Sequence, residues 1–190
     1  MLAPLLRSNT QGDLLALLLL NPESEFSLTE IGQRIGALST TVHREVDRLV
    51  VSGLLTDRRV GTARLVRANT KARLYEPTQA LIEATYGPRV VLESLLSKID
   101  GIEAAFIFGS WAARYEGEQG HAPNDIDVVV IGSVSRRELA ELAEAAQGVL
   151  HIEVNIERIS PEAWASQEDP FVKTLFGSPL VGVGPEETTA

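Results

Sequence analysis

Cysteine is absent from this 190-residue chain, which rules out disulfides, thiolate nucleophiles and zinc-finger ligation. Apolar runs long enough to span a bilayer are also missing. The nearest, residues 14–20, follows Asp13 and stops at Asn21-Pro22, without the basic flank and small-residue cleavage site of a secretory signal. It reads as a buried helix, so the cytoplasm is the expected compartment and no membrane partner is expected. Internal repeats are missing, and lysine is scarce beside arginine.

The chain does have the 44% hydrophobic and 23% charged residues of an ordinary folded protein. Its net charge of -9 is unevenly spread. Residues 1–73 carry ten Lys/Arg against seven Asp/Glu, a net of +3, whereas residues 74–190 carry seven against nineteen, a net of -12. A basic part can approach a phosphate backbone; an acidic part is repelled unless it binds cations. The asymmetry predicts two domains with two jobs, and the breaker pair Gly87-Pro88 marks the expected boundary: residues 1–87 and 88–190.

In the first part the spacing predicts a helix over residues 10–20. Ser27-Leu28-Thr29-Glu30 has the form of a capping box opening a short helix that Gly36 ends. Ser39 is placed to cap a longer helix in which Val42, Val46, Leu49 and Val50 make one apolar stripe, with Gly53 as its left-handed stop. Two helices separated by Gly36-Ala37-Leu38 have helix-turn-helix spacing. Two short strands, residues 54–56 and 63–66, are expected to flank a basic tip over residues 57–62. A further helix is expected over residues 78–86.

This stretch resembles the winged-helix repressors of the ArsR and MarR type over residues 8–85. The resemblance rests on Leu28-Thr29-Glu30-Ile31-Gly32, the helix at 39–49, Ser52-Gly53-Leu54-Leu55 and the arginine-bearing hairpin. Thr40, Thr41, His43, Arg44 and Arg48 lie off the apolar stripe, where they can meet base edges or phosphates in a major groove, and Arg58, Arg59 and Arg64 lie on the wing. The plainer alternative is a solvated helix face used for protein contact. Glu45 and Asp47 would have to avoid the DNA backbone. The leucine-rich first helix and the helix around Leu81 show more apolar surface than one small winged helix needs, so a homodimer is expected.

The second part begins with an expected helix over residues 90–99. Apolar strands at 104–108, 126–131 and 152–156 then alternate with helices, which predicts a half-buried sheet covered on one face. The predicted class is α+β. Its strongest signal is Phe108-Gly109-Ser110-Trp111-Ala112-Ala113-Arg114 followed by Asn124-Asp125-Ile126-Asp127-Val128. Glycine lets the backbone approach a ligand, while a serine hydroxyl and the first amides of a helix can hold phosphate oxygens. Asp125 and Asp127, two apart on a strand, point to one face and suit Mg²⁺, a hard cation that shares its oxygen ligands with substrate phosphates.

This arrangement resembles the minimal nucleotidyltransferases of the DNA polymerase beta superfamily over residues 88–160. The resemblance implies a small mixed sheet with helices, Gly109 and Ser110 as the phosphate turn, and Asp125 and Asp127 as the metal and catalytic pair. Glu153, in His151-Ile152-Glu153-Val154-Asn155, is the candidate third acid, and Arg114 a candidate phosphate brace. The fourteen residues between Ser110 and Asp125 include the Gly-rich loop 116–123, longer than in short members of that family. Trp111 reads as a packing residue, and His121 as a solvated loop residue. His151 reads equally as structural or as lining the site. Two functions stay open. One is a transcription regulator that binds double-stranded DNA and NTP with Mg²⁺ or Mn²⁺. The other is an active nucleotidyltransferase acting on a protein or nucleic-acid acceptor, with the winged helix as its targeting module and, by analogy, a toxin–antitoxin role.

Overall fold

Serine caps and leucine spacing build the start of the chain in the computed structural model, which describes residues 6–119 and 123–184. Helix α1 (Asn9–Leu19) opens where the Ser8 hydroxyl accepts from the Gln11 N–H, and it buries Leu14, Leu15, Leu17, Leu18 and Leu19. The leucine surface that suggested a partner is therefore spent inside this unit. After the short strand β1 (Phe26–Ser27), helix α2 (Leu28–Arg34) begins with a reciprocal Ser27–Glu30 capping box. Helix α3 (Ser39–Val51) buries Val42, Val46 and Leu49. Ser39 is its first helical residue rather than its cap. The cap position falls on Leu38, whose extended backbone makes no side-chain bond. Gly53, at φ +77, ends the helix in the left-handed conformation.

Strands β2 (Leu55–Val60) and β3 (Ala63–Ala68) form a hairpin closed by the two residues Gly61-Thr62. The expected basic tip is thus strand almost to its end, and Arg58 and Arg59 sit in the ladder. An exposed strand tolerates such polar side chains, so polarity there did not mark a loop. The sheet order is β1-β3-β2, all antiparallel. Helix α4 (Tyr75–Tyr86) packs on α1, and the Tyr75 hydroxyl donates to the Leu19 carbonyl at 3.0 Å. The first unit ends at Gly87 and a second begins at Pro88.

The second unit runs α5 (Pro88–Leu96), β4 (Ile102–Phe108), α6 (Gly109–Tyr115), β5 (Asp125–Gly132), α7 (Arg136–Leu150), β6 (Glu153–Ile159), α8 (Pro161–Ser166), α9 (Pro170–Phe176) and β7 (Val181–Gly182). The sheet is mixed, in order β6-β5-β4-β7, with β5 and β6 parallel and the other pairs antiparallel. One face packs Ile126, Val128, Val130 and Val154 with residues of α5, α6 and α7. The expectation of a sheet covered on one face only is corrected by the other side. There Val129, Ile131 and Ile159 are buried with Val172 and Leu175 of α9. The unbroken run from Val128 to Ile131 has this cause, since a strand buried on both faces has no polar side to show. Overall the chain is an α+β protein. Among the described residues no helix is long and apolar enough to cross a membrane.

Candidate functional site

Alternation along β5 decides what lies at its N-terminal end. Asp125, Asp127, Val129 and Ile131 share one face, and α9 covers only the last two, which leaves the aspartates half-buried at an open edge. In register beside them, Glu153 pairs with Asp125 and Asn155 with Asp127. The Asn155 amide donates to Asp127 Oδ1 at 3.2 Å and to Asp125 Oδ2 at 3.4 Å, offsetting part of the repulsion between the two carboxylates. On the other side, Phe108 is the antiparallel partner of Asp127, and the chain turns there into α6. Gly109 makes that turn at φ +73, so close to Asp127 that a Cβ would lie 2.9 Å from its Oδ2. Glycine is needed here for both its backbone angle and its lack of a side chain.

Gly109, Asp125, Asp127 and Asn155 therefore meet at one end of the sheet, with Ser110 exposed on the first turn of α6. Glu153 stands exposed in register with Asp125. Among the described residues no three His, Cys, Asp or Glu side chains gather as a metal-holding group. The nearest third member is an amide. The two carboxylates are hard donors of the kind Mg²⁺ takes when a ligand's phosphates complete its shell, while Asn155 turns its NH2 group, not its oxygen, towards them. Arg114 donates to the Glu118 carbonyl, and its Nε is buried without a hydrogen-bond partner among the described residues. Trp111 is buried and stacks on Tyr115, its rings 5.1 Å apart. His151 adopts the left-handed conformation that ends α7, and His121 lies outside the described residues.

Sequence reasoning missed the aromatic wall of this site. Phe108 meets Phe171, at the start of α9, edge-on at 5.7 Å between centroids, and Phe171 keeps 39% of its surface exposed. The missed signals were Ser160-Pro161 and Asp169-Pro170, each a capping residue followed by a proline at the first helical position.

In the first unit, α3 exposes Thr40, His43, Arg44 and Arg48, with Thr41 half-buried. Its two acids are each held by arginines. Glu45 is buried, 3.2 Å from Arg48 and 3.5 Å from Arg44, while Asp47 holds Arg64 of β3 at 2.6 Å. Arg64 also holds Asp57 of β2 at 2.6 Å, and these bonds raise its pKa further. Arg59 pairs directly with Arg64 in the ladder, so it shares the hairpin face that meets α3, and it has no ion-pair partner among the described residues. Arg58, one residue away, is on the opposite face, where it donates to both Glu25 oxygens at 3.0 and 3.1 Å and holds that carboxyl below its ordinary range. The structure thus gathers α3, Arg59 and Arg64 on one side and sets Arg58 apart. No family model matches the chain, and the curated proteins include no significant match.

Proposed function

We propose that the protein is a DNA-binding transcription regulator whose second unit binds a nucleoside triphosphate with Mg²⁺ or Mn²⁺. On this reading the first unit is a winged helix-turn-helix and the second a nucleotidyltransferase-like domain. One observation carries the DNA half: α3 presents Thr40, His43, Arg44 and Arg48 to solvent while both of its acids are engaged by arginines. A helix so arranged after a short helix and a turn suits a major groove, with Arg59 of the hairpin reaching a phosphate.

The nucleotide half is supported by Gly109, Ser110, Asp125 and Asp127 at one sheet end. The amide of Asn155, bonded to both aspartates while Glu153 stands exposed beside Asp125, supports binding and sensing over turnover. It supplies no charge and accepts no proton, so the alternative of an active transferase is the weaker one. Incubation with labelled NTPs and Mg²⁺ is expected to give nucleotide binding without transfer to the protein or to a co-purifying acceptor. Labelling that disappears in Asp125→Asn would reverse that choice. For DNA, Arg44→Ala with Arg48→Ala should weaken binding to a selected duplex by roughly 1–3 kcal/mol per base-reading contact. Unchanged binding would end the DNA reading for α3.

A further inference from the structure

We infer that Asp47 and Arg64 form a strut that holds the hairpin to α3, so that an acid on the proposed DNA-binding face strengthens DNA binding instead of opposing it. This rests on the DNA reading above. Electrostatics alone makes Asp47 a liability. Its side chain is 59% exposed on α3, among the residues offered to DNA, and a carboxylate near phosphates is repelled. The geometry gives it a different task. The planar guanidinium of Arg64 has its Nη1 on Asp47 Oδ1 and its Nε on Asp57 Oδ2, each at 2.6 Å, and only 19% of that side chain is exposed. One rigid fork therefore ties three elements, α3, β2 and β3, with two charge-assisted bonds, which a lysine's single ammonium point cannot reproduce.

The position of Arg64 makes the tie consequential. Arg59 is its direct cross-strand partner, so whatever fixes Arg64 against α3 also fixes the distance from Arg59 to the exposed α3 side chains. Among the described residues the outer half of the hairpin is otherwise held only from its opposite face, where Arg58 meets Glu25, and by the pairing of Leu65 with Ser27. Strand β2 itself is exposed from Thr56 to Val60, so on the α3 side the Arg64 fork is the tie. Arg64 is thus a positioning residue, and Arg59 the phosphate contact it positions.

The signs of four affinities test this. Binding of wild type, D47N, R64A and R59A to a labelled mixed-sequence duplex is measured over a range of salt, with circular dichroism to confirm folding. The strut predicts that D47N binds more weakly, by several-fold, although it removes a negative charge. R64A weakens binding with its salt slope nearly unchanged, whereas R59A lowers the slope by about one, as loss of a phosphate contact does. In the R64A background the strut is already gone, so D47N should revert to the electrostatic sign and tighten binding. Arg64→Lys, which keeps the charge and loses the fork, should fall between wild type and R64A. Tighter binding by D47N in the wild-type background, or a slope for R64A that falls as far as that of R59A, overturns the strut. Wild type that binds no duplex at any salt overturns the DNA reading itself and the strut with it, a result distinct from the first two. D47N, an exposed substitution, decides the sign even if R64A does not fold.

Discussion

At the scale of residues, two positions carry the clearest consequences. Gly109 has a positive φ and its Cα faces Asp127 at a distance that leaves no room for a Cβ. Gly109→Ala should cost about 1–2 kcal/mol for the left-handed backbone alone. Because the added methyl displaces the Asp127 carboxylate, it should also erase any stabilisation by Mg²⁺ and NTP. Thermal melts with and without the ligand pair separate the two effects. Glu83, in the last turn of α4, has its pKa pushed up to about 7 by burial, and its Oε1 finds no hydrogen-bond partner among the described residues. Carbonyl ends of a helix disfavour its charge further. Between the ordinary value of 4.5 and about 7 the unfolded chain is ionised while the folded one keeps its proton. The contribution of Glu83 to stability should therefore be full below pH 4.5 and be lost as pH rises through this window, by up to about 3 kcal/mol. In urea unfolding from pH 4 to pH 8, Glu83→Gln should lose that decline and exceed wild type at pH 8. Identical pH profiles for the two proteins would show that Glu83 is ionised in the fold.

At the scale of elements, legibility followed local chemistry. The Ser27–Glu30 box, the apolar stripe of α3 and the Gly53 stop are contained within a few residues, and all three are present in the structure. The Gly-Ser turn and the aspartate spacing on β5 could be read for the same reason. Contacts that depend on register could not. The register of β6 on β5, which no local pattern states, sets Glu153 beside Asp125 and Asn155 beside Asp127, and it is the Asn155 amide that bonds both aspartates. Likewise, alternation along β2 separates Arg58 from Arg59, although in sequence the two look alike. Helix α9 went unread because its seven residues are too few for a convincing period, and with it went the Phe108–Phe171 wall. That wall lies one residue from the Gly109-Ser110 turn and, in the proposed nucleotide site, is the surface available to a base ring. Stacking on one aromatic is worth about 1–3 kcal/mol. Phe171→Ala should therefore weaken Mg·ATP binding about five-fold or more and leave Mg·tripolyphosphate binding unchanged. Equal losses for both ligands would mean that the ring only props up α9.

For the whole molecule, the charge division follows the two units only in part. Residues 1–87 carry ten Lys/Arg against nine Asp/Glu, a net of +1, because Glu76 and Glu83 of α4 offset the basic stretch before them, and residues 88–190 carry seven against seventeen, a net of -10. The homodimer expected from leucine content loses α1 as its surface, since those leucines are buried, but Leu74, the residue before α4, and Leu81 within it are exposed seven residues apart. We propose this stripe as the dimer face. Light scattering at micromolar concentration should give twice the chain mass, and Leu81→Glu should restore the monomer; a monomeric wild type removes the proposal.

On the proposed function, nucleotide in the second unit sets DNA affinity in the first. Two sites coupled in this way differ in affinity by about 5-fold or more between the ligated and free states. DNA binding should be titrated with and without saturating Mg·ATP, in wild type and in Asp125→Asn with Asp127→Asn. A shift of at least that size in wild type, absent from the double variant with its own DNA binding intact, is the expected result. Superimposable wild-type isotherms with every NTP tried, or a shift that survives in the double variant, would contradict it.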